Sequence, residues 1–207
     1  VGISYNNDEI RKIINKKIDS NNFKISFFEN KDELLDKVAD LIHENNIVGY
    51  FNNRMEFGAR ALGNRSILAN PCNPKIKEII NKKIKRRENF RPFAPSILEE
   101  EKHNWFEHNY INPYMSSVEE IKKEKRNLIP SVTHVDGTGR VQTVSKEMNK
   151  DFHKLINKFF KISQVPIILN TSFNENEPIV MCPNDAINCF LRTKMDVLIL
   201  NNFMVLR

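Results

Sequence analysis

Residues 49–71 read GYFNNRMEFGARALGNRSILANP, and residues 85–95 read KRRENFRPFAP. The chain contains 21 lysines and only 11 arginines, yet six of the arginines lie between positions 54 and 91. A planar guanidinium binds phosphate or carboxylate through two parallel hydrogen bonds, which a lysine ammonium cannot do. Gly58 and Gly63 bracket Arg60, and glycine permits the backbone conformations that an anion-binding loop needs. The two segments therefore predict a polyphosphate site.

Composition indicates a globular enzyme domain. The chain has 207 residues, 40% of them hydrophobic, which suffices for one core. No apolar run approaches a membrane span and no signal peptide is visible, so we expect a cytoplasmic protein without a membrane partner. The three cysteines (Cys72, Cys182 and Cys189) form no CxxC pair, which indicates a reducing compartment and no zinc site. Because the chain starts at Val1 rather than Met, we expect it to be a piece of a longer protein.

The alternation of apolar and polar residues predicts an α/β fold, with a twisted mixed sheet and helices on its faces. Helices are expected over residues 7–18, 32–44, 74–84, 149–161 and 183–193, and strands over residues 23–28, 47–51, 66–69, 93–98, 115–118, 165–169 and 197–200. Residues 99–110 are predicted to form a helix followed by a loop, and residues 119–126 a charged, exposed connector. Two β-rich runs, 131–135 and 140–144, are predicted to pair as a hairpin.

The first arginine group follows the buried strand 47–51, and ligands gather at strand ends in open α/β sheets. Arg54, Arg60 and Arg65 repel one another unless an anion or several carboxylates neutralise them. Glu56 would neutralise only one of them. The alternative interpretation, a simple glycine-bounded turn, does not explain three arginines.

A second basic group contains Lys85, Arg87 and Arg91. Lys85 and Arg87 point the same way if the chain is extended there, and Arg91 comes directly before Pro92. The alternative is a basic helix end that complements the helix dipole, which suits Arg86.

Two further segments complete the predicted site. In THVDGTGRVQTV (residues 133–144), Arg140 follows two glycines and is the better ligand candidate, whereas His134 is a secondary one. In LNTSFN (residues 169–174), the side chains of Asn170, Ser172 and Asn174 are expected to form a wall of the site, while Thr171 is interpreted as a turn cap. Neither a nucleophile–histidine signature nor a carboxylate pair nor a metal-ligand pattern is visible. Such a site would work by positioning and charge neutralisation, as in phosphoryl or nucleotidyl transfer.

Four blocks in this order resemble the C-terminal domain of the O-carbamoyltransferases that modify nodulation factors and antibiotics (the NodU/CmcH/TobZ family). The blocks are RMEFGARALGNRSIL, KRRENFRPFAPS, VTHVDGTGRVQTV and LNTSFNENEPIV, and they span residues 54–180. The resemblance implies a YrdC-like α/β fold for residues 29–207. It also implies that residues 1–28, an N-terminal helix and strand, link this domain to a missing N-terminal actin-like domain.

The resemblance further implies that this domain activates carbamate, derived from carbamoyl phosphate, with ATP and Mg²⁺ to give carbamoyl adenylate. The actin-like domain, which would hold the metal ion of the protein, would then transfer the carbamoyl group to a hydroxyl. The implied ATP and carbamoyl contacts are Arg60, Lys85, Arg91, Arg140, Asn170 and Ser172, with Lys85 and Arg140 in catalytic roles. Secondary candidates are Arg54, Arg65, Arg87, His134 and Asn174. The sequence departs from the family pattern at Ala59, where Pro is usual, and at Asn176, where Gly is common.

Two other functions fit parts of the pattern. YrdC-like folds also occur in threonylcarbamoyl-adenylate synthases, although the VTHVDGTGRVQTV block favours the carbamoyltransferases. An RNA-binding module would suit the net charge of +6, but the chain has no motif of interleaved aromatic and basic residues, so nucleic acid is not expected as a partner. The hydroxyl acceptor is left open among sugars, polyketides and surface glycans.

Overall fold

The computed structural model describes residues 2–207, and its helices and strands alternate along the chain. They are α1 (Asn7–Lys17), β1 (Lys24–Phe27), α2 (Lys31–His43), β2 (Val48–Phe51), β3 (Arg65–Ala69), α3 (Ile76–Ile80), β4 (Ala94–Leu98), α4 (Lys102–Trp105), β5 (Glu119–Glu120), β6 (Thr138–Gly139), β7 (Gln142–Val144), α5 (Lys150–Ser163), β8 (Ile167–Ser172), α6 (Pro183–Arg192), β9 (Val197–Leu200) and β10 (Phe203–Leu206). A π-helical turn, Asn81–Lys85, continues α3. None of the helices described is long and apolar enough to cross a membrane.

Eight strands form one mixed sheet in the order β1–β10–β9–β2–β3–β8–β4–β7. Two neighbouring pairs are parallel, β9 with β2 and β4 with β7, and the other neighbours are antiparallel. Strands β2, β3 and β9 are buried along their whole length, as their apolar sequences predict. The mixed sheet expected from the sequence is confirmed.

Helices cover both faces of this sheet. On β1 and β10, Phe27 and Phe203 contact Arg11 of α1, whereas the alternate residues Ser26 and Met204 line a depression beside α2. Helix α5 packs on α2, and α6 packs on α1. Each layer buries the apolar stripe of its helices, which is the amphipathic pattern that predicted them.

The N-terminal segment packs with the rest of the chain. Asn6 caps α1 in a reciprocal pair with Glu9, and β1 joins the edge of the sheet by pairing with β10. The assignment of residues 1–28 to a linker that follows a preceding domain stays a prediction.

The segment between β4 and α5 differs most from the sequence-based prediction. Residues 115–118 form no strand, and residues 131–135 form turns rather than half of a hairpin. Instead, β5 pairs with β6, and β7 runs parallel to β4 at the sheet edge. Two strands joined by a hairpin are antiparallel, so the parallel pairing of β4 with β7 joins segments that are not neighbours in the sequence. The local alternation of residues therefore could not reveal it. Residues 119–126 were expected to be exposed, yet Glu119 is buried in an ion pair with Lys102.

Two other boundaries matter for function. Strand β8 continues to Ser172, so Asn170, Thr171 and Ser172 belong to a strand and not to the loop after it. It lies between β3 and β4, which pair with its polar end as well as its apolar start. The predicted helix over 74–84 is split into α3 and the π-helical turn, a feature that is common at functional sites. Strand β10 was not predicted.

Candidate functional site

A cleft of about 280 Å³ at the polar end of β8 collects most of the predicted site residues. Its polar lining comes from four separate parts of the chain: Arg60, Arg87, Arg91, His134, Arg140, Asn170, Thr171 and Ser172. Thr171, which we had interpreted as a turn cap, lines the cleft from within β8. The fold thus brings together four segments that the sequence analysis could only consider separately.

The charge of this cleft is strongly positive. Four guanidinium groups and no Asp or Glu line it. Within residues 2–207, Arg60, Arg91 and Arg140 have no hydrogen bond or ion pair from their side chains, whereas Arg87 donates from Nε to Oδ1 of Asn81 at 2.7 Å. Burial, together with the nearby charge of Arg91, lowers the pKa of Arg87. Guanidinium groups grouped without carboxylates are stabilised by a bound anion.

Lys85 lies beneath the cleft. It ends the π-helical turn, is only 3% exposed, and does not line the cleft. Its Nζ donates to the carbonyl oxygen and Oγ of Ser172 (2.5 and 3.3 Å) and to the carbonyl oxygen and Oδ1 of Asn174 (2.8 and 2.7 Å). Burial lowers the pKa of Lys85 to about 7, and the charge of Arg87 adds to this effect. Lys85 and Arg87 do not point the same way: Arg87 reaches the cleft and Lys85 the end of β8.

Asn170 forms the floor of the cleft and is 1% exposed. Its Nδ2 donates to the carbonyl oxygen of Ala61 (3.2 Å), to Oγ of Ser96 (3.1 Å) and to Oε1 of Gln142 (3.1 Å). The backbone carbonyls of Ala61 and Leu62 can only accept hydrogen bonds, and Gln142 donates from Nε2 to the latter. These partners fix both amide orientations and leave Oδ1 of Asn170 as a buried acceptor without a partner in residues 2–207.

Sequence reasoning missed Ser96 and Gln142, which join β4 and β7 to this floor. Oγ of Ser96 donates to Oε1 of Gln142 at 2.6 Å, and both side chains are buried. The available signal was a polar residue at a buried position of each β-rich run, Ser96 before Ile97 and Gln142 between two valines of the 141–144 run. Buried polar side chains of this kind are expected to be hydrogen-bonded in pairs or networks.

The turn before Arg140 is held by its own polar side chains. Oδ1 of Asp136 accepts from the N–H (3.0 Å) and Oγ1 (2.6 Å) of Thr138. Because that hydroxyl proton is donated to Asp136, Nδ1 of His134 must be the donor to Oγ1 of Thr138, at 3.0 Å. Burial lowers the pKa of His134. In the neutral tautomer that this contact selects, Nδ1 carries the proton and Nε2 does not.

Arg126 supports the same turn from below. Its Nε donates to the carbonyl oxygen of Ile121 (2.9 Å) and its Nη2 to Glu120 (2.8 Å). The guanidinium lies so close to Gly137 that a Cβ at this position would clash with it. Gly137 has a φ of +82°, so the turn requires glycine both for its conformation and for this contact.

Three secondary candidates lie outside the cleft. Arg65 is fully buried, stacks over the ring of Phe51 at 3.5 Å, and donates to the backbone carbonyls of Ile3, Asn52, Asn53 and Asn64. Its Nη1 and Nη2 donors are therefore used within the fold, whereas Nε is buried without a partner in residues 2–207. Arg54 is exposed and lines a separate depression beside Asp151. Asn174 is bonded to Lys85, Ser172 and Glu177.

Sequence comparisons agree with these motifs. The family model described as carbamoyltransferase C-terminus matches residues 39–207. Nodulation protein NolNO of Sinorhizobium fredii is 45% identical over 181 residues, which cover 86% of this chain and 27% of that protein. An uncharacterised protein of Methanocaldococcus jannaschii is 38% identical over 207 residues, which cover 100% of this chain and 34% of that protein. The chain thus spans about a quarter to a third of the length of these relatives.

Solved structures share the fold at low sequence identity. Full-length HypF in its phosphate- and nucleotide-bound form has a TM-score of 0.55 and 18% identity, covering 87% of this chain and 22% of that chain. Sua5 of P. abyssi complexed with L-threonine has a TM-score of 0.58 and 15% identity, covering 83% of this chain and 47% of that chain. These likenesses confirm the YrdC-like fold. Together with the family match over residues 39–207, they lead to one conclusion: the chain belongs to the carbamoyltransferase C-terminus family.

Proposed function

We propose that the chain is the carbamoyl-adenylate-forming part of an O-carbamoyltransferase. The observation that carries this proposal is the cleft lined by four arginines and no carboxylate. In the proposed reaction, a water molecule first hydrolyses carbamoyl phosphate: the bond between the carbamoyl and phosphate groups breaks, giving carbamate and inorganic phosphate. A carbamate oxygen then attacks the α-phosphorus of ATP, and the bond to the β-phosphate oxygen breaks to release pyrophosphate. The reacting groups are anionic throughout, so the chief need is charge neutralisation at fixed positions.

The surroundings of each side chain in the cleft indicate its role in this reaction. Arg60, Arg91 and Arg140 have no other partners in residues 2–207, and we assign their guanidinium groups to the phosphates and the carbamoyl oxygens. The buried Oδ1 of Asn170 is an acceptor without a partner in residues 2–207, at the floor of a cleft that is lined by four guanidinium groups. A carbamoyl group presents N–H donors that would satisfy it. A site with guanidinium groups for an anion and an acceptor for an N–H group suits a carbamoyl ligand, which has both, better than a simple phosphate, which has no N–H group.

Lys85 has a supporting role in this proposal. Its Nζ is bonded to Ser172 and Asn174 rather than directed into the cleft, which departs from the catalytic role predicted for it. We assign it to fixing the end of β8, so that Ser172 keeps its place in the lining. Burial is the main cause of the lowered pKa of Lys85, and the charges of Arg87 and Arg91 add to it, so an anion that neutralises these two arginines would remove only their part of the shift.

The proposed cofactors and partner follow from the same residues. Magnesium would be carried in on the ATP phosphates, because the cleft lining offers no carboxylate to bind it. The acceptor hydroxyl, on a sugar or secondary metabolite, would be served by an actin-like metal-binding domain of the same polypeptide. Relatives about three times as long as this chain have room for such a domain.

Exchange of labelled pyrophosphate into ATP tests the proposal directly. We expect exchange by this chain that depends on carbamoyl phosphate and on Mg²⁺, and that does not occur with threonine and bicarbonate. Exchange that depends on threonine would instead identify a threonylcarbamoyl-adenylate synthase. Tight, salt-sensitive binding of RNA without exchange under either condition would overturn the enzyme assignment in favour of an RNA-binding module.

A further inference from the structure

The loop between β2 and β3 carries Arg60 and contains no helix or strand. Its backbone N–H groups need partners, since buried donors without them are costly. One side-chain oxygen is the acceptor for three of these N–H groups. Oε1 of Glu56 accepts hydrogen bonds from the N–H groups of Leu62 (2.5 Å), Asn64 (3.2 Å) and Arg65 (3.2 Å).

Glu56 forms no ion pair with the arginines around it. Burial lowers the pKa of Arg65, and the nearby charge of Glu56 opposes that shift without a direct contact between the two side chains. None of the ion pairs within residues 2–207 includes Glu56, and its side chain does not line the cleft. The carboxylate is instead enclosed by the loop, with Oε2 buried and without a partner in the same residues. The positive charge of Arg60 is consequently left for a ligand.

The cleft floor holds the same loop from the opposite side. The carbonyl oxygens of Ala61 and Leu62 accept from Nδ2 of Asn170 (3.2 Å) and from Nε2 of Gln142 (3.0 Å). Leu62 is thus fixed at both its N–H and its C=O group. Gly63 follows it with a φ of +103°, a conformation that turns the chain back toward β3.

We propose that Glu56 is the positioning residue for Arg60. Glu56 precedes the arginine by four residues, and the three N–H groups it binds follow the arginine. The carboxylate therefore closes the loop around Arg60 without touching a ligand. A loop whose backbone is already held in place loses less conformational entropy when the arginine it carries binds an anion. The inference rests on the proposed function only in that the cleft must bind phosphates.

A double-mutant cycle with inorganic tripolyphosphate as the probe tests this role. Binding is measured by titration calorimetry for the wild type, Glu56→Ala, Arg60→Ala and the double variant. Glu56→Ala should weaken binding by about two- to tenfold, because the loop that carries Arg60 must then be ordered when the probe binds. The double variant should bind no more weakly than Arg60→Ala alone, because Glu56 acts through Arg60. Glu29→Ala, an exposed carboxylate next to β1 at the far edge of the sheet, is the matched control and should bind as the wild type does.

Two results would overturn the proposal. One is wild-type binding by a folded Glu56→Ala protein, and the other is a double variant in which the two losses multiply. If Glu56→Ala does not fold, Glu56→Gln replaces it in the cycle, because its neutral amide oxygen still accepts from the three N–H groups but more weakly than the carboxylate. A smaller loss of affinity that disappears in the Arg60→Ala background would then support the proposal, and losses that multiply would overturn it. Tripolyphosphate binding requires no turnover. Coupling between Glu56 and Arg60 in a protein without pyrophosphate exchange would thus support the positioning role while refuting the proposed reaction.

Discussion

Lys85 and Ser172, 87 positions apart in the chain, are joined by two hydrogen bonds. Nζ of Lys85 lies 2.5 Å from the carbonyl oxygen and 3.3 Å from Oγ of Ser172. This contact links the π-helical turn to the end of β8, and with it the basic segment 85–91 to the polar segment 170–174. The two sides of the cleft are thus attached to each other through a buried lysine.

Removing that lysine should destabilise the fold. In Lys85→Met, the oxygens of Ser172 and Asn174 lose their donor while they remain partly buried. We expect the free energy of unfolding to fall by about 1–3 kcal/mol, measured by urea denaturation near neutral pH. Lys82→Met, an exposed position on the same turn, is the control and should change little. An equal effect of the two substitutions would contradict the importance of the buried contacts.

The same lysine predicts a pH dependence of stability. Burial lowers the pKa of Lys85 to about 7 in the folded state, compared with 10.5 for a free lysine. Between these two values the unfolded chain binds more protons, so the free energy of unfolding should rise with pH, by up to about 1.4 kcal/mol per pH unit. Below this range both states hold the proton, and Lys85 adds no slope.

The contribution of Lys85 is isolated by subtracting the Lys85→Met curve from that of the wild type. Both proteins are unfolded in urea at several pH values across this range. Lys31, whose pKa is lowered to about 8 by burial, is present in both proteins and cancels. A flat difference would show that the four surrounding oxygens keep Lys85 protonated despite its burial.

Arg140 offers a test of geometry against charge. Arg140→Lys keeps the positive charge but loses the second parallel hydrogen bond to a phosphate or carbamoyl group. We expect the rate of carbamoyl-dependent pyrophosphate exchange to fall about ten- to a hundredfold with folding unaffected. Arg54→Lys is the matched control, because Arg54 belongs to the same arginine-rich region and lies outside the cleft. Unchanged exchange in Arg140→Lys would remove Arg140 from the site. Arg126 is unsuitable as a control, since it packs against Gly137 of the same turn.

Arg65 is expected to matter for stability and not for ligand binding. Lysine at this position would lose the stacking on Phe51 and part of the hydrogen bonds to the loop carbonyls. Arg65→Lys should lower the free energy of unfolding by about 2–3 kcal/mol, measured by denaturant titration. Its affinity for tripolyphosphate, measured below the melting temperature, should match that of the wild type. Weaker binding with unchanged stability would place Arg65 in the ligand site after all.

Nucleotide binding should be visible as thermal stabilisation. ATP with Mg²⁺ should raise the melting temperature, because a ligand that binds only the folded state stabilises it by mass action. Adenosine lacks the phosphates and should do much less. Equal shifts with the two compounds, or none with either, would argue against a site centred on the arginines.

The sequence by itself determined the element order for most of the chain and predicted a site for an anionic ligand. Apolar spacing marks α2, α5 and α6 because the burial of a helix face depends on residues that are close in sequence. The enrichment in arginine predicted the cleft because the type of a side chain can be read from the sequence without knowing where the residue lies in the fold.

Only the tertiary structure decided which of these arginines line the cleft. Arg60 and Arg65 are five residues apart in one motif, yet Arg60 lines the cleft and Arg65 is buried. Strand pairing causes this difference. Arg65 is the first residue of β3, and the pairing of that strand directs its side chain inwards, whereas Arg60 lies in the preceding loop, which is open to the cleft. Similarly, Lys85 is beneath the cleft and Glu56 inside the loop, since their partners come from β8 and from backbone groups that only folding brings within reach. The sequence shows which side chains are charged, but the orientation of these side chains depends on contacts between segments that are distant in the chain.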